Sequence, residues 1–291
     1  MIYLDSAATT PVRREVLEAM WPLLSGQFGN PSSHHELGEA AARALTDARA
    51  SVARIFGCRA SEVIFTSGGT EADNLAIKGI ALATPRGKHI VTSAVEHPAV
   101  LESCDYLARI HGFEVTVLGV DNTGRVDAAA LAEALRADTT LVSIMYANNE
   151  VGTVQPIREL AALARAQGVP FHTDAVQAAG WLDLSIDSLG VDAISISGHK
   201  VGAPKGIGVL IARGRVRLEP LVSGGGQERG KRSGTENVAG AVGLAVALEL
   251  AVAEGQANGA RVAAVRDDFI AEVLGTVPDA ILTAIFYFTG A

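Results

Sequence analysis

Apolar positions along the chain follow two alternating rhythms. Over residues 36–56 they fall at Leu37, Ala41, Leu45, Ala48 and Val52. Steps of three and four put them on one face of a helix, and Gly57 stops it. Similar spacing predicts helices over 15–24, 70–83, 98–111, 127–136 and 157–167. Between them lie short apolar runs, read as strands at 63–66, 89–92, 113–118, 141–146 and 170–173. Strands separated by helices imply right-handed crossovers. The fold class is therefore α/β: a mostly parallel sheet flanked by helices.

The alternation tightens over 192–206, DAISISGHKVGAPKG. Ala193, Ile194 and Ile196 run into Ser197-Gly198-His199-Lys200, and a second apolar run covers 207–211. That is a strand, a tight polar turn and another strand. Residues 1–12 form a short polar arm expected to dock elsewhere, and 29–35 a loop by composition. The most apolar stretch, 238–253, is broken by Glu249 and too short to span a bilayer, so it reads as a core helix.

Composition narrows the picture modestly. With 291 residues, 48% hydrophobic, a sizeable core is available. A net charge of −8 without a basic block argues against nucleic acid or an anionic membrane as partner. Cys58 and Cys104 stand in unrelated contexts, which excludes a disulfide framework or zinc spacing and fits a reducing cytoplasm. The opening MIYLDSAATTPV lacks the basic and apolar regions of a signal peptide.

In parallel sheets ligands sit at the carboxyl ends of the strands, and each strand exit here is chemically loaded. The first, 66–74, reads TSGGTEADN. Its glycines permit a tight turn, Thr70 begins a helix, Asp73 stands three positions on as in a capping box, and the helix start suits a phosphate. An ordinary capped turn fits the same residues. The second exit places His97 before Pro98, either as a plain turn residue or as one able to stack on a flat ring. The third holds Asn148, Asn149 and Glu150, polar groups costly to bury unless a ligand supplies partners. The fourth ends in Asp174, a helix cap or the carboxylate that keeps a pyridinium nitrogen protonated.

The fifth exit is Lys200, hemmed in by glycines. A lysine in a partly dry pocket has a lowered pKa and forms imines with carbonyls, pyridoxal phosphate included. A surface hairpin lysine is the plainer reading of Lys200 alone. The glycine-rich basic loop 223–237 is either a linker or an anion site, possible also on a neighbouring subunit.

Taken together, YLDSAATTP (3–11), GNPSSHH (29–35), EVIFTSGGTEADNLAIKG (62–79), VEHPAV (95–100), ANNEVGTVQPI (147–157), HTDAVQAAG (172–180), SISGHKVGAPKGIGVL (195–210) and GGGQERGKRSGTENV (224–238) resemble the cysteine desulfurases that supply sulfur to iron–sulfur clusters, within the fold-type-I PLP enzymes. The resemblance implies an aspartate-aminotransferase-like large domain over 13–255, with 1–12 and 256–291 forming part of a truncated α+β small domain. It implies pyridoxal 5'-phosphate as cofactor. Lys200 would be the Schiff-base lysine and Asp174 the partner of the ring nitrogen. Gln177 would bond the ring hydroxyl, with Asn149 near it and the substrate. His97 would stack on the ring and move protons. Gly69, Thr70, Ser197 and His199 would hold the phosphate, and Thr235 would reach the phosphate of a partner subunit, implying a homodimer. The implied reaction takes L-cysteine and an acceptor thiol to L-alanine and a persulfide, passed to an iron–sulfur scaffold or another sulfur acceptor.

The family's nucleophilic cysteine and substrate-binding arginine belong to a C-terminal small domain, and the sequence ends at Ala291 before either is expected. A strand is expected at 284–289. Cys104 reads as a core residue and Cys58 as a turn position, so neither replaces the nucleophile, and PLP binding is expected with weak turnover. Other readings within the fold are a C–S lyase, a selenocysteine lyase, an aminotransferase or a catalytically impaired dimer partner.

Overall fold

The computed structural model describes residues 2–83 and 86–282. A seven-stranded sheet forms the middle layer: β1 (Val63–Thr66), β2 (His89–Ser93), β3 (Glu114–Leu118), β4 (Thr139–Ser143), β5 (Phe171–Asp174), β6 (Ala193–Ser197) and β7 (Gly208–Ala212). Their spatial order is β1-β7-β6-β5-β4-β2-β3. β3, β2, β4, β5 and β6 run parallel, while β7 is antiparallel to both its neighbours.

Both faces of the inner strands are covered, while β3 at the edge leaves Glu114 and Val117 exposed. On β1 the side chains alternate: Ile64 packs with α3 (Gly69–Ala83) and α4 (Pro98–His111), whereas Val63 and Phe65 pack with the opposite layer. That layer contains α1 (Arg14–Ser25), α2 (Glu36–Phe56), α5 (Ala128–Ala134), α6 (Ile157–Ala166), the short α7 (Ile186–Leu189) and α8 (Val238–Thr276). α2 occupies its expected span and ends at Gly57, whose φ of 61° places it in the left-handed region glycine favours.

The structure departs from expectation in β4 and α8. β4 begins at Thr139, not Leu141, because the buried β-branched Thr139 and Thr140 suit a strand although they are polar. Ile144 and Tyr146 still bond through their N–H groups to His172 and Asp174, without regular pairing. α8 runs on to Thr276, so residue 255 falls within one helix. By length and composition 238–255 could cross a membrane. In this fold its Leu244 and Leu248 are fully buried, each contributing about 1.5–3 kcal/mol. The strand expected at 284–289 lies outside the described residues.

Candidate active site

A cavity of about 640 Å³ opens at the carboxyl ends of β1, β5 and β6. It is bordered by Gly69, Thr70, His97, Asn149, Asp174, Gln177, Ser197, His199 and Lys200, nine of the ten residues singled out from sequence. Thr235, the tenth, is exposed and does not border it. A cavity of similar size, bordered by Arg86, Arg165, Arg215 and Arg217, lies at the opposite end of the strands and lacks a lysine–carboxylate pair.

Lys200 ends a single 3₁₀ turn that follows β6. Its Nζ donates to the carbonyls of Ala7 and Ala8, the latter at 2.9 Å. Burial lowers its pKa, opposed by the charges of Asp174, Asp5 and Glu150. The N-terminal arm is thus part of the site. Thr10 donates through N and Oγ1 to the His199 carbonyl, both at 2.9 Å, and its Oγ1 accepts from Gly202 N–H. Gln177 Nε2 donates to Ala7 O at 3.0 Å.

Asp174 closes β5 and is buried. Its Oδ1 accepts from Val176 N–H at 2.9 Å, and burial raises its pKa against the pull of His97 and Lys200. His97 caps α4, its Nδ1 accepting from Ala99 N–H at 3.0 Å. In the neutral ring the proton then sits on Nε2. The start of α3 presses against the exits of β5 and β6: a Cβ added at Gly69 would lie 3.0 Å from Val176 Cγ2 and 3.2 Å from Ser197 Cβ. First-turn amides have no intrahelical acceptor, and here they border the cavity.

Several local expectations are corrected. Asp73 does not cap α3: it is buried, and Glu71 Oε2 instead accepts from Ser67 N–H at 2.8 Å, in the turn before the helix. Asn148 needs no ligand: it donates to Val95 O and accepts from Glu150 and Val151 N–H, tying two strand exits together. In the basic loop, Arg232 pairs with Glu71 at 2.7 Å and Arg229 donates to Val63 O, so both are already occupied within the protein. Ala8, Thr9, Asp73 and Lys205 also border the cavity and were not singled out from sequence. All four lie in the motifs read from sequence: Ala8 and Thr9 in the arm, Asp73 as the expected cap, and Lys205 as a second lysine beside Lys200.

A strand-end lysine and a buried carboxylate sharing a cavity with a helix start define a PLP-dependent enzyme of the α/β kind. The family model for class-V aminotransferases matches residues 2–280. The cysteine desulfurase IscS of Dictyoglomus turgidum is 51% identical over 282 residues, covering 97% of this chain and 71% of that protein. The cysteine desulfurase NifS of Azotobacter vinelandii is 47% identical, covering 97% and 70%. Among solved structures, a NifS-like protein superposes with a TM-score of 0.94 at 39% identity, covering 98% of this chain and 78% of that one. SspA in complex with cysteine gives 0.82 at 44% identity, covering 86% and 72%. The chain belongs to the class-V aminotransferase family, among its cysteine desulfurases.

Enzymes of this family depend on pyridoxal phosphate, and the residues present fit it. Asp174 is a buried carboxylate open to the cavity, and Gly69 leaves backbone where a side chain would crowd Val176 and Ser197.

Proposed function

We propose that this chain withdraws sulfur from L-cysteine, yielding L-alanine while an acceptor thiol becomes a persulfide. One observation carries the reading: Lys200 and Asp174, from the ends of adjacent strands, face one cavity whose rim is a helix start. Pyridoxal phosphate supplies an electron sink for bonds around the amino-acid α-carbon. In this reading Lys200 holds the cofactor, and its lowered pKa lets the amine accept and return a proton. Asp174 keeps the ring nitrogen protonated, Gln177 bonds the ring hydroxyl, and Asn149 lies near it. His97 stacks on the ring and offers Nε2 for proton movement. Gly69, Thr70, Ser197 and His199 hold the phosphate, with Thr235 supplied by a partner subunit in a homodimer. The sulfur goes to a protein acceptor serving iron–sulfur cluster or thio-cofactor synthesis.

Neither cysteine is the acceptor thiol. Cys58 and Cys104 do not border the cavity, and burial pushes their pKa values up to about 11 and about 12. Such thiols are inert near neutral pH. An added thiol therefore stands in for the acceptor in the test: the chain, pyridoxal phosphate, L-cysteine and dithiothreitol should yield alanine, with sulfide released in equal amount. Pyruvate with ammonia would overturn the reading in favour of a C–S lyase.

A further inference from the structure

Three carboxyls crowd beneath the cavity from three separate elements: Asp73 on α3, Glu96 in the turn between β2 and α4, and Asp174 at the end of β5. All three are buried. Glu96 Oε1 accepts from Ser93 Oγ–H at 2.5 Å and from Met145 N–H at 2.9 Å. Its Oε2 is buried without a partner, as is Asp73 Oδ1. Asp73 Oδ1 lies 3.7 Å from His172 Nε2. That imidazole is engaged on both sides, Nδ1 with Ser143 Oγ and Nε2 with Ser195 Oγ, each at 2.9 Å. Complete burial drives its pKa down to about 3, so it is neutral. His97 and Lys200 act on Asp174. Cys104 on α4, whose pKa is raised by burial and then by Glu96, is an uncharged thiol. Among the described residues, no ion pair with a lysine or arginine is made by Asp73 or Glu96.

A buried carboxylate with an unpartnered oxygen is far costlier than a buried neutral acid. Three ionised carboxyls here would also repel one another. Resting on the cofactor reading above, we propose that Glu96 and Asp73 are positioning residues held as neutral acids, so that the only negative charge beneath the cofactor ring is on Asp174. Glu96 also joins the end of β2 to the backbone beyond β4, at the point where the chain presents His97. Its neutral form fixes that histidine without competing with Asp174 for the ring nitrogen's proton.

The test compares wild type with Glu96→Gln, which keeps the acceptor for Ser93 and Met145 but cannot ionise. The full chain, stripped of pyridoxal phosphate, is melted across pH. The Glu96 carboxyl is pushed from 4.5 up to about 8, chiefly by burial. The folded state then holds a proton the unfolded state has lost, so wild-type stability falls as pH rises through that window. Glu96→Gln should remove this part of the decline, and wild type should show an infrared band of a protonated carboxyl that the variant lacks. With pyridoxal phosphate restored, Glu96→Ala should weaken cofactor binding about tenfold by orphaning two donors, and Glu96→Gln should return it to within about threefold of wild type. Parallel melting curves, no lost infrared band, and Glu96→Gln binding as poorly as Glu96→Ala would overturn the proposal. Asp73→Asn, read the same way, keeps the test decisive should Glu96→Ala fail to fold. The melting and infrared readings need no cofactor, whereas failure of the cofactor reading itself would show as no saturable binding by wild type.

Discussion

A methyl group at Gly69 has almost no room. It would meet Val176 Cγ2 at 3.0 Å and Ser197 Cβ at 3.2 Å, tighter than ordinary van der Waals contact. Ser197 is buried and Val176 half-buried, beside Asp174 and Lys200, so relief by shifting the start of α3 would disturb the site. Gly69→Ala should therefore weaken pyridoxal phosphate binding about tenfold or more, with global stability changed by only about 1 kcal/mol. Fluorescence titration alongside urea unfolding checks both. At this scale the sequence was informative where chemistry and position coincide. Lys200, Asp174 and His97 are strand-exit residues whose side chains match one cofactor. Asp73 was not legible as a buried group, because TEAD reads locally as a capping signal and only the tertiary fold turns its carboxyl toward His172. That the arm docks was legible from its polar composition, but its target was not, since its hold on Lys200 and His199 spans about 190 residues of chain.

Among the elements, the turn at the start of the loop carrying Thr235 is held by the ion pair of Arg49 and Glu228. Glu228 and Arg229 sit at φ 48° and 60°, left-handed values that side chains other than glycine rarely adopt. Arg49 on α2 holds the strained turn with two 2.7 Å bonds to the two oxygens of the buried Glu228, and a third to Val63 O. Arg49→Met leaves the buried Glu228 with only the distant Arg229 at 4.0 Å as an ion-pair partner among the described residues, which should cost about 3 kcal/mol in urea unfolding. Adding Glu228→Gln should recover part of that loss; equal stability of Arg49→Met and wild type would contradict the role. The loop's glycines and basic residues marked it in the sequence, but not that its arginines are occupied by Glu71 and Val63 O. The ends of α2 and α4 were legible because Gly57 and Gly112 terminate them. The full length of α8 was not, because its hydrophobic pattern fades where its outer half faces solvent, with Val265 and Phe269 exposed.

For the whole molecule, buried titratable groups set the pH range of stability. His172 is depressed from 6.5 to about 3, so the folded state binds fewer protons and stability falls as pH drops through that window. Glu96 is raised from 4.5 to about 8 and acts oppositely, as do Asp73 and Asp174, whose pKa values burial also raises. The melting temperature of the cofactor-free chain should therefore peak between about pH 4.5 and 6.5 and decline towards pH 8. Calorimetry across pH checks this, and a maximum above pH 8 would contradict it. The helix-flanked sheet that encloses these groups was readable from the alternation of strands and helices, but not which polar side chains it buries.

The central claim is that Lys200 holds pyridoxal phosphate in this cavity and that L-cysteine reacts there. The most direct measurement is the visible absorption spectrum of the chain with pyridoxal phosphate, before and after L-cysteine, with Lys200→Ala alongside. The account predicts a protein-bound band in wild type that shifts on adding L-cysteine and is absent from Lys200→Ala. No band in a folded wild-type chain, or an identical band in Lys200→Ala, would contradict it.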